Sequence, residues 1–205
     1  MKSDDSRQST RLIYLHGFLS SPKSEKAISL IDYAQNELIE LRDQGKLEVL
    51  VPALPHKPKQ AIAYIEKLIS GSTNTVLIGS SLGGFYSIYF AEKFRCKAVL
   101  VNPLVTLQES LADSFLGHHV NPYSGEDFEI EMSDAEYLLS LEHADIKDHE
   151  KYLVLLEEGD EVLDYKLTLE KFHNSSQHVL PGGNHRFENF EKYIPEIIKF
   201  AELKA

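Results

Sequence analysis

Short unbroken apolar runs alternate along the chain with stretches whose apolar positions recur every three or four residues. The runs are Leu12–Leu15, Leu47–Val51, Thr75–Ile78, Ala98–Val101, Tyr152–Leu156 and His178–Leu180. They are continuous and not alternating, so each predicts a strand covered on both faces, as a parallel sheet requires. Helical periodicity fills the intervals. Ala27, Leu30, Ile31, Ala34, Leu38 and Leu41 share one face and predict a helix from Pro22 to Gln44. Ser21 would cap it, Pro22 would sit in its first turn, and Gly45 would stop it. Further helices are predicted over 59–70, 82–94, 165–173 and 188–203. The alternation predicts an α/β fold with a six-stranded, mostly parallel sheet and helices on both faces. One interval breaks the rhythm. From Leu104 to Asp148 no strand is predicted, and two helical pieces, Leu104–Leu116 and Ser133–Leu141, flank the turn-rich HHVNPYSGED. That predicts a small helical cap inserted at about 104–148, over one end of the sheet.

Composition narrows the picture. At 205 residues the chain suits one domain, read as 11–205, behind a polar extension over 1–10 that looks disordered. The net charge is −11, which disfavours nucleic acid as a partner. Ten acids against Lys147 between Glu126 and Glu150 account for −9 of it, a solvated face in the plainest reading. No apolar run approaches the ~18 residues of a membrane span, and the first residues hold no secretory apolar stretch. The one cysteine, Cys96, fits a reducing compartment, so a cytoplasmic protein, monomer or homodimer, is expected.

The chemistry-bearing positions fall at strand ends. Gly79-Ser80-Ser81-Leu82-Gly83 is a G-x-S-x-G between a predicted strand and a predicted helix, the setting of a nucleophile elbow with Ser81 at its tip. Gly79 and Gly83 would let strand and helix approach closely. His16-Gly17-Phe18 follows the first strand. The backbone N–H groups of Phe18 and Leu82 are the expected oxyanion donors, Gly17 turns the loop, and His16 braces it. A serine nucleophile needs a base and an orienting carboxylate, in the chain order serine, acid, histidine. His185, after Gly182-Gly183, is the expected base, and Asp160, after Gly159, the expected acid. Asp164 reads better as a helix cap, and Glu157, Glu158 and Glu161 as solvent-facing. His118-His119 reads as a surface pair and Cys96 as a packing residue, so no metal or organic cofactor is expected. Lys23, Lys26, Lys57 and Lys59 lie on the same edge and offer charge to an anionic group.

Together the motifs resemble a known family. Ile13-Tyr-Leu-His-Gly-Phe-Leu-Ser-Ser-Pro-Lys-Ser-Glu-Lys-Ala27, Val51-Pro-Ala-Leu-Pro55, Ile78-Gly-Ser-Ser-Leu-Gly-Gly-Phe-Tyr86, Val101-Asn-Pro103, Asn121-Pro-Tyr-Ser-Gly125, Gly159-Asp-Glu-Val-Leu-Asp-Tyr165 and Gly182-Gly-Asn-His-Arg-Phe187 resemble the YqiA-type bacterial esterases of the α/β-hydrolase superfamily. The resemblance implies a compact α/β-hydrolase fold with a helical cap, and esterase activity on short acyl esters. It implies Ser81, Asp160 and His185 as nucleophile, acid and base. Because the oxyanion loop follows the first strand here, the two leading strands of the full fold are expected to be missing, leaving strand order 2-1-3-4-5-6. The rival expectations are a thioesterase or amide hydrolase on the same triad, or a non-catalytic binding protein.

Overall fold

The computed structural model describes residues 9–72, 74–107 and 114–203. Its elements, in chain order, are β1 (Thr10–Leu15), α1 (Glu25–Asn36), α2 (Ile39–Asp43), β2 (Leu47–Leu50), α3 (Pro58–Ile69), β3 (Asn74–Ser81), α4 (Leu82–Phe94), β4 (Lys97–Pro103), β5 (Gly117–Val120), β6 (Asp127–Ile130), α5 (Met132–Ser140), β7 (Tyr152–Glu157), α6 (Tyr165–Lys171), β8 (Ser176–Leu180) and α7 (Phe190–Phe200). Six strands form one parallel sheet in the order β2-β1-β3-β4-β7-β8. Numbered within the sheet, this is 2-1-3-4-5-6.

Each central strand feeds two cores, which is why its apolar run is continuous. Ile13 and Leu15 of β1, Leu77 of β3 and Leu100 of β4 pack with α3 and α4 through Ile65, Phe85 and Phe90. Leu12 and Tyr14, Val76 and Ile78, Val99 and Val101 point the other way, onto Leu30 of α1 and Ile194 and Ile197 of α7. In a parallel sheet all six strand C-termini reach one edge, and there lie Ser81 at the end of β3, Phe18 in the loop after β1, and Asp160 and His185 in the loops after β7 and β8.

Three expectations need correction. The helix expected over 22–44 is two helices. Leu38 leaves helical geometry (φ −120°, ψ 20°) and drops into the core, and Ser24, not Ser21, precedes the first turn. The insertion is not helical alone, because β5 and β6 pair as an antiparallel hairpin where no strand was expected. Their side chains lie half-buried or exposed apart from Ile130, so no apolar alternation marks them. Leu104–Leu107 is not helical, and the middle of that expected helix, 108–113, lies outside the described residues. Of the proposed extension, 1–8 lies outside the described residues too, while Thr10 already belongs to β1. Helix α5 agrees with the second predicted cap helix and is held by a capping box of Glu131 and Asp134. Lys57, before α3, ties it down through Asp134 at 2.7 Å and Glu131 at 3.4 Å. Among the described residues no helix is long and apolar enough to cross a membrane.

Candidate active site

Strand β3 ends in a forced turn. Ser81 adopts φ 55°, ψ −122°, a backbone region that costs a non-glycine residue about 1–3 kcal/mol. Helix α4 starts at the next residue, so the chain reverses within one peptide and lifts the Ser81 hydroxyl off the sheet edge. The neighbours permit this only as glycines. A Cβ on Gly83 would stand 1.9 Å from the Leu15 carbonyl oxygen, and one on Gly79 would stand 2.2 Å from that of Gly83. Gly17 is the third close approach, since its Cβ would lie 3.0 Å from Ser81 Cβ. That distance sets the loop of Phe18 directly against the turn that begins α4 with Leu82.

The Ser81 hydroxyl donates to His185 Nε2 at 3.0 Å. His185 Nδ1–H in turn donates to Asp160, 2.8 Å from Oδ2 and 2.9 Å from Oδ1. The carboxylate fixes the tautomer, because a proton held at Nδ1 leaves Nε2 as an acceptor. Asp160 is itself held. Its Oδ1 accepts the backbone N–H groups of Val162 and Leu163, both at 2.9 Å, and its side chain is 2% exposed. Asp164 caps α6 by accepting from Lys166 N–H, and so takes no part in this chain.

His16 does not face Ser81. Its Nδ1–H donates to the Gly17 carbonyl at 2.9 Å, and its Nε2 accepts from Leu54 N–H at 3.1 Å. It thus clamps the loop after β1 to the loop after β2. Burial lowers its pKa, which keeps the ring neutral for both roles.

Three supporting residues escaped the sequence reading, one of them the exposed Glu161, whose Oε2 accepts the His185 backbone N–H at 2.9 Å. Glu157, expected in solvent, is 2% exposed at the end of β7, and its Oε2 accepts from Asn184 N–H at 2.8 Å. Gly183 (φ +75°) leaves room for it, since a Cβ there would meet Glu157 Cδ at 2.3 Å. Asn102 sits at φ 39° where the β3–β4 register slips, with Ser80 opposite Val101 but Ser81 opposite Pro103. Its amide accepts from Glu157 N–H at 2.9 Å and donates to the Asn184 carbonyl at 3.0 Å. The loop carrying His185 is therefore pinned from below by β4 and β7, and from the side where Gly159 N–H donates to the Gly182 carbonyl at 2.7 Å. The signal for Asn102 lay in Val101-Asn-Pro103, a polar residue closing an apolar strand.

A cavity of about 180 Å³ opens beside Ser81 and His185, bounded by Gly17 and Phe18 and by Tyr123 of the cap. The cap docks on the same loop, where Asn121 donates to the Ser20 carbonyl at 3.1 Å, and the Phe18 ring packs against Phe115 and His119 at 4.7 and 4.9 Å. Elsewhere, His118 lies exposed beside Asp127 and Glu129, and burial pushes the Cys96 thiol up to about 11, out of the reactive range. Among the described residues no three His, Cys, Asp or Glu side chains group as ligands for a metal ion.

Sheet, crossovers and elbow make this an α/β-hydrolase-like fold, and solved structures agree. The chain is similar to a protein of Agrobacterium vitis S4 described as a putative hydrolase (TM-score 0.69, 15% identity, covering 94% of this chain and 88% of that one). It is similar to Est1E of Butyrivibrio proteoclasticus, solved with ferulic acid bound (TM-score 0.64, 14% identity, 99% and 92%). It is also similar to MGS-MChE2, an α/β-hydrolase enzyme from a lagoon-sediment metagenome (TM-score 0.61, 17% identity, 95% and 93%). Residues 11–202 match the family model UPF0227, described as an uncharacterised protein family, and the chain belongs to that family.

Proposed function

We propose that this protein is a serine hydrolase that cleaves short carboxylic esters by acyl transfer to water. The observation that carries the reading is the unbroken hydrogen-bond chain from Ser81 through His185 to Asp160. Ser81 Oγ attacks the ester carbonyl as its proton passes to His185 Nε2. Asp160 holds the imidazole and stabilises the cation that forms. The backbone N–H groups of Phe18 and Leu82 receive the oxyanion, and the alcohol leaves with the proton from His185. Water then repeats the sequence on the acyl-enzyme. The chemistry needs no metal or organic cofactor. A cavity of about 180 Å³ supports a small substrate, being below the ~300–1,000 Å³ of pockets that enclose drug-sized ligands.

A panel of 4-nitrophenyl esters of graded acyl length, with matching thioesters and anilides, tests this. Short oxygen esters should be turned over fastest. A clear preference for thioesters or anilides would move the reading to the corresponding hydrolase, and no turnover at all would favour a binding protein.

Glu157 offers a second check. Glu157→Gln keeps an oxygen to accept from Asn184 N–H and should retain most activity. Glu157→Ala removes the acceptor beneath the histidine loop. Misplacement of His185 by about 1 Å should then cost on the order of 100-fold in kcat. Steady-state kinetics on the best ester, with a thermal melt of each variant, reads both.

A further inference from the structure

The cavity beside Ser81 has a polar floor and a cationic wall. Ser24 precedes α1 but does not cap it, and its hydroxyl is buried without a hydrogen bond of normal geometry. Ser24 is 8% exposed and lines the cavity, beside the Tyr14 hydroxyl. The Tyr14 hydroxyl is its neighbour here, and an anionic group would give the Ser24 hydroxyl a stronger acceptor. The same turn leaves the first N–H groups of α1 without a side-chain cap, at the positive end of a 12-residue helix.

Lys26, in the first turn of α1, lines the cavity as well and donates to the Arg186 carbonyl, next to His185. Among the described residues no carboxylate lies within ion-pair distance of it. Burial, with Arg186 nearby, lowers its pKa to about 8, and the more distant Glu25 and Glu157 offset this only in part. The rim charges cancel each other, since Arg186 pairs with Glu25 at 3.1 Å and both are exposed. Lys57 is different, being already matched by Asp134 and Glu131. The overall charge of −11 does not oppose an anion here, because exposed charges are screened beyond ~8 Å at physiological salt.

Building on the hydrolase reading, we infer that this cavity selects esters that carry a compact anionic group, a carboxylate or a phosphate-like group, held by the Lys26 ammonium, the Ser24 hydroxyl and the free N–H groups that open α1. Lys26 is then a specificity residue, and it acts on the part of the substrate that does not react.

Matched ester pairs that carry or lack a carboxylate or a phosphonate test this, with the charge on the acyl side in one set and on the alcohol side in another. At least one charged set should exceed its neutral twins by about tenfold in kcat/KM, the scale of one charge-assisted hydrogen bond. Lys26→Met should bring that ratio to within about twofold, and Ser24→Ala should lower it in part. Because Lys26 also tethers the histidine loop, the ratio is the readout and not the rate, since a purely structural loss would depress charged and neutral esters alike. That result, or no charged set preferred by the wild type, overturns the inference. Binding of glutarate and of inorganic phosphate to the full chain, followed by NMR, separates the two levels. Saturable binding that Lys26→Met abolishes, with no ester cleaved, keeps the anion site and sinks the hydrolase reading. Turnover of neutral esters with neither binding nor charge preference does the reverse.

Discussion

Replacing Ser81 with glycine should abolish ester turnover and at the same time stabilise the fold. The two effects have separate causes. On the proposed mechanism, removing the hydroxyl removes the nucleophile, and loss of such a serine alone costs about 10⁴-fold or more. The strain at φ 55° is carried by the backbone and disappears when Cβ is removed. Set against the chain entropy of glycine, the net gain should be about 1 kcal/mol, or about 2–4 °C in melting temperature for a chain of this size. Ser81→Ala provides the control, since on the proposed mechanism it should be equally inactive but keeps Cβ and therefore the strain. A melt and a rate for each variant suffice. Equal melting temperatures for the alanine and glycine variants would count against strain at this turn.

Gly83→Ala should be the most damaging small substitution in the fold. The new methyl would sit 1.9 Å from the Leu15 oxygen and 2.8 Å from that of His16. Both are backbone atoms, so no side chain can swing aside. Helix α4 and the end of β1 must separate, and the gain of up to ~1 kcal/mol in helix propensity does not offset this. A loss of about 3 kcal/mol or more is expected, with a fall in melting temperature on the order of 10 °C. The folded remainder should also turn over poorly, because pushing β1 away moves Gly17 and Phe18 from Ser81. Chemical denaturation beside a kinetic assay measures both. A wild-type midpoint would mean that the two elements do not touch as described.

The four inner sheet strands were legible because burial on both faces leaves little but apolar residues between turns, as in Val76-Leu77-Ile78 and Val154-Leu155-Leu156, whereas the edge strands β2 and β8 are only part-buried and carry Glu48 and Gln177. The elbow was legible because a backbone this crowded tolerates only glycine at 79 and 83, which writes the geometry into the sequence. The β5–β6 hairpin was not, since residues such as His118, Val120, Asp127 and Glu129 are exposed and carry no alternation. The break at Leu38 was hidden for the opposite reason, because Leu38 is apolar and in phase with the helix it ends. Glu157 was misread because an acid at a strand end ordinarily faces water. Only the fold reveals that the histidine loop covers it and donates an N–H to its carboxylate.

Reaction of the purified wild-type chain with a fluorophosphonate probe, with the modified residue mapped by mass spectrometry, tests the central claim most directly. The account predicts a single adduct on Ser81, absent from Ser81→Ala and formed far more slowly in His185→Ala. A folded wild type that takes up no probe, or takes it up at another residue, would contradict it.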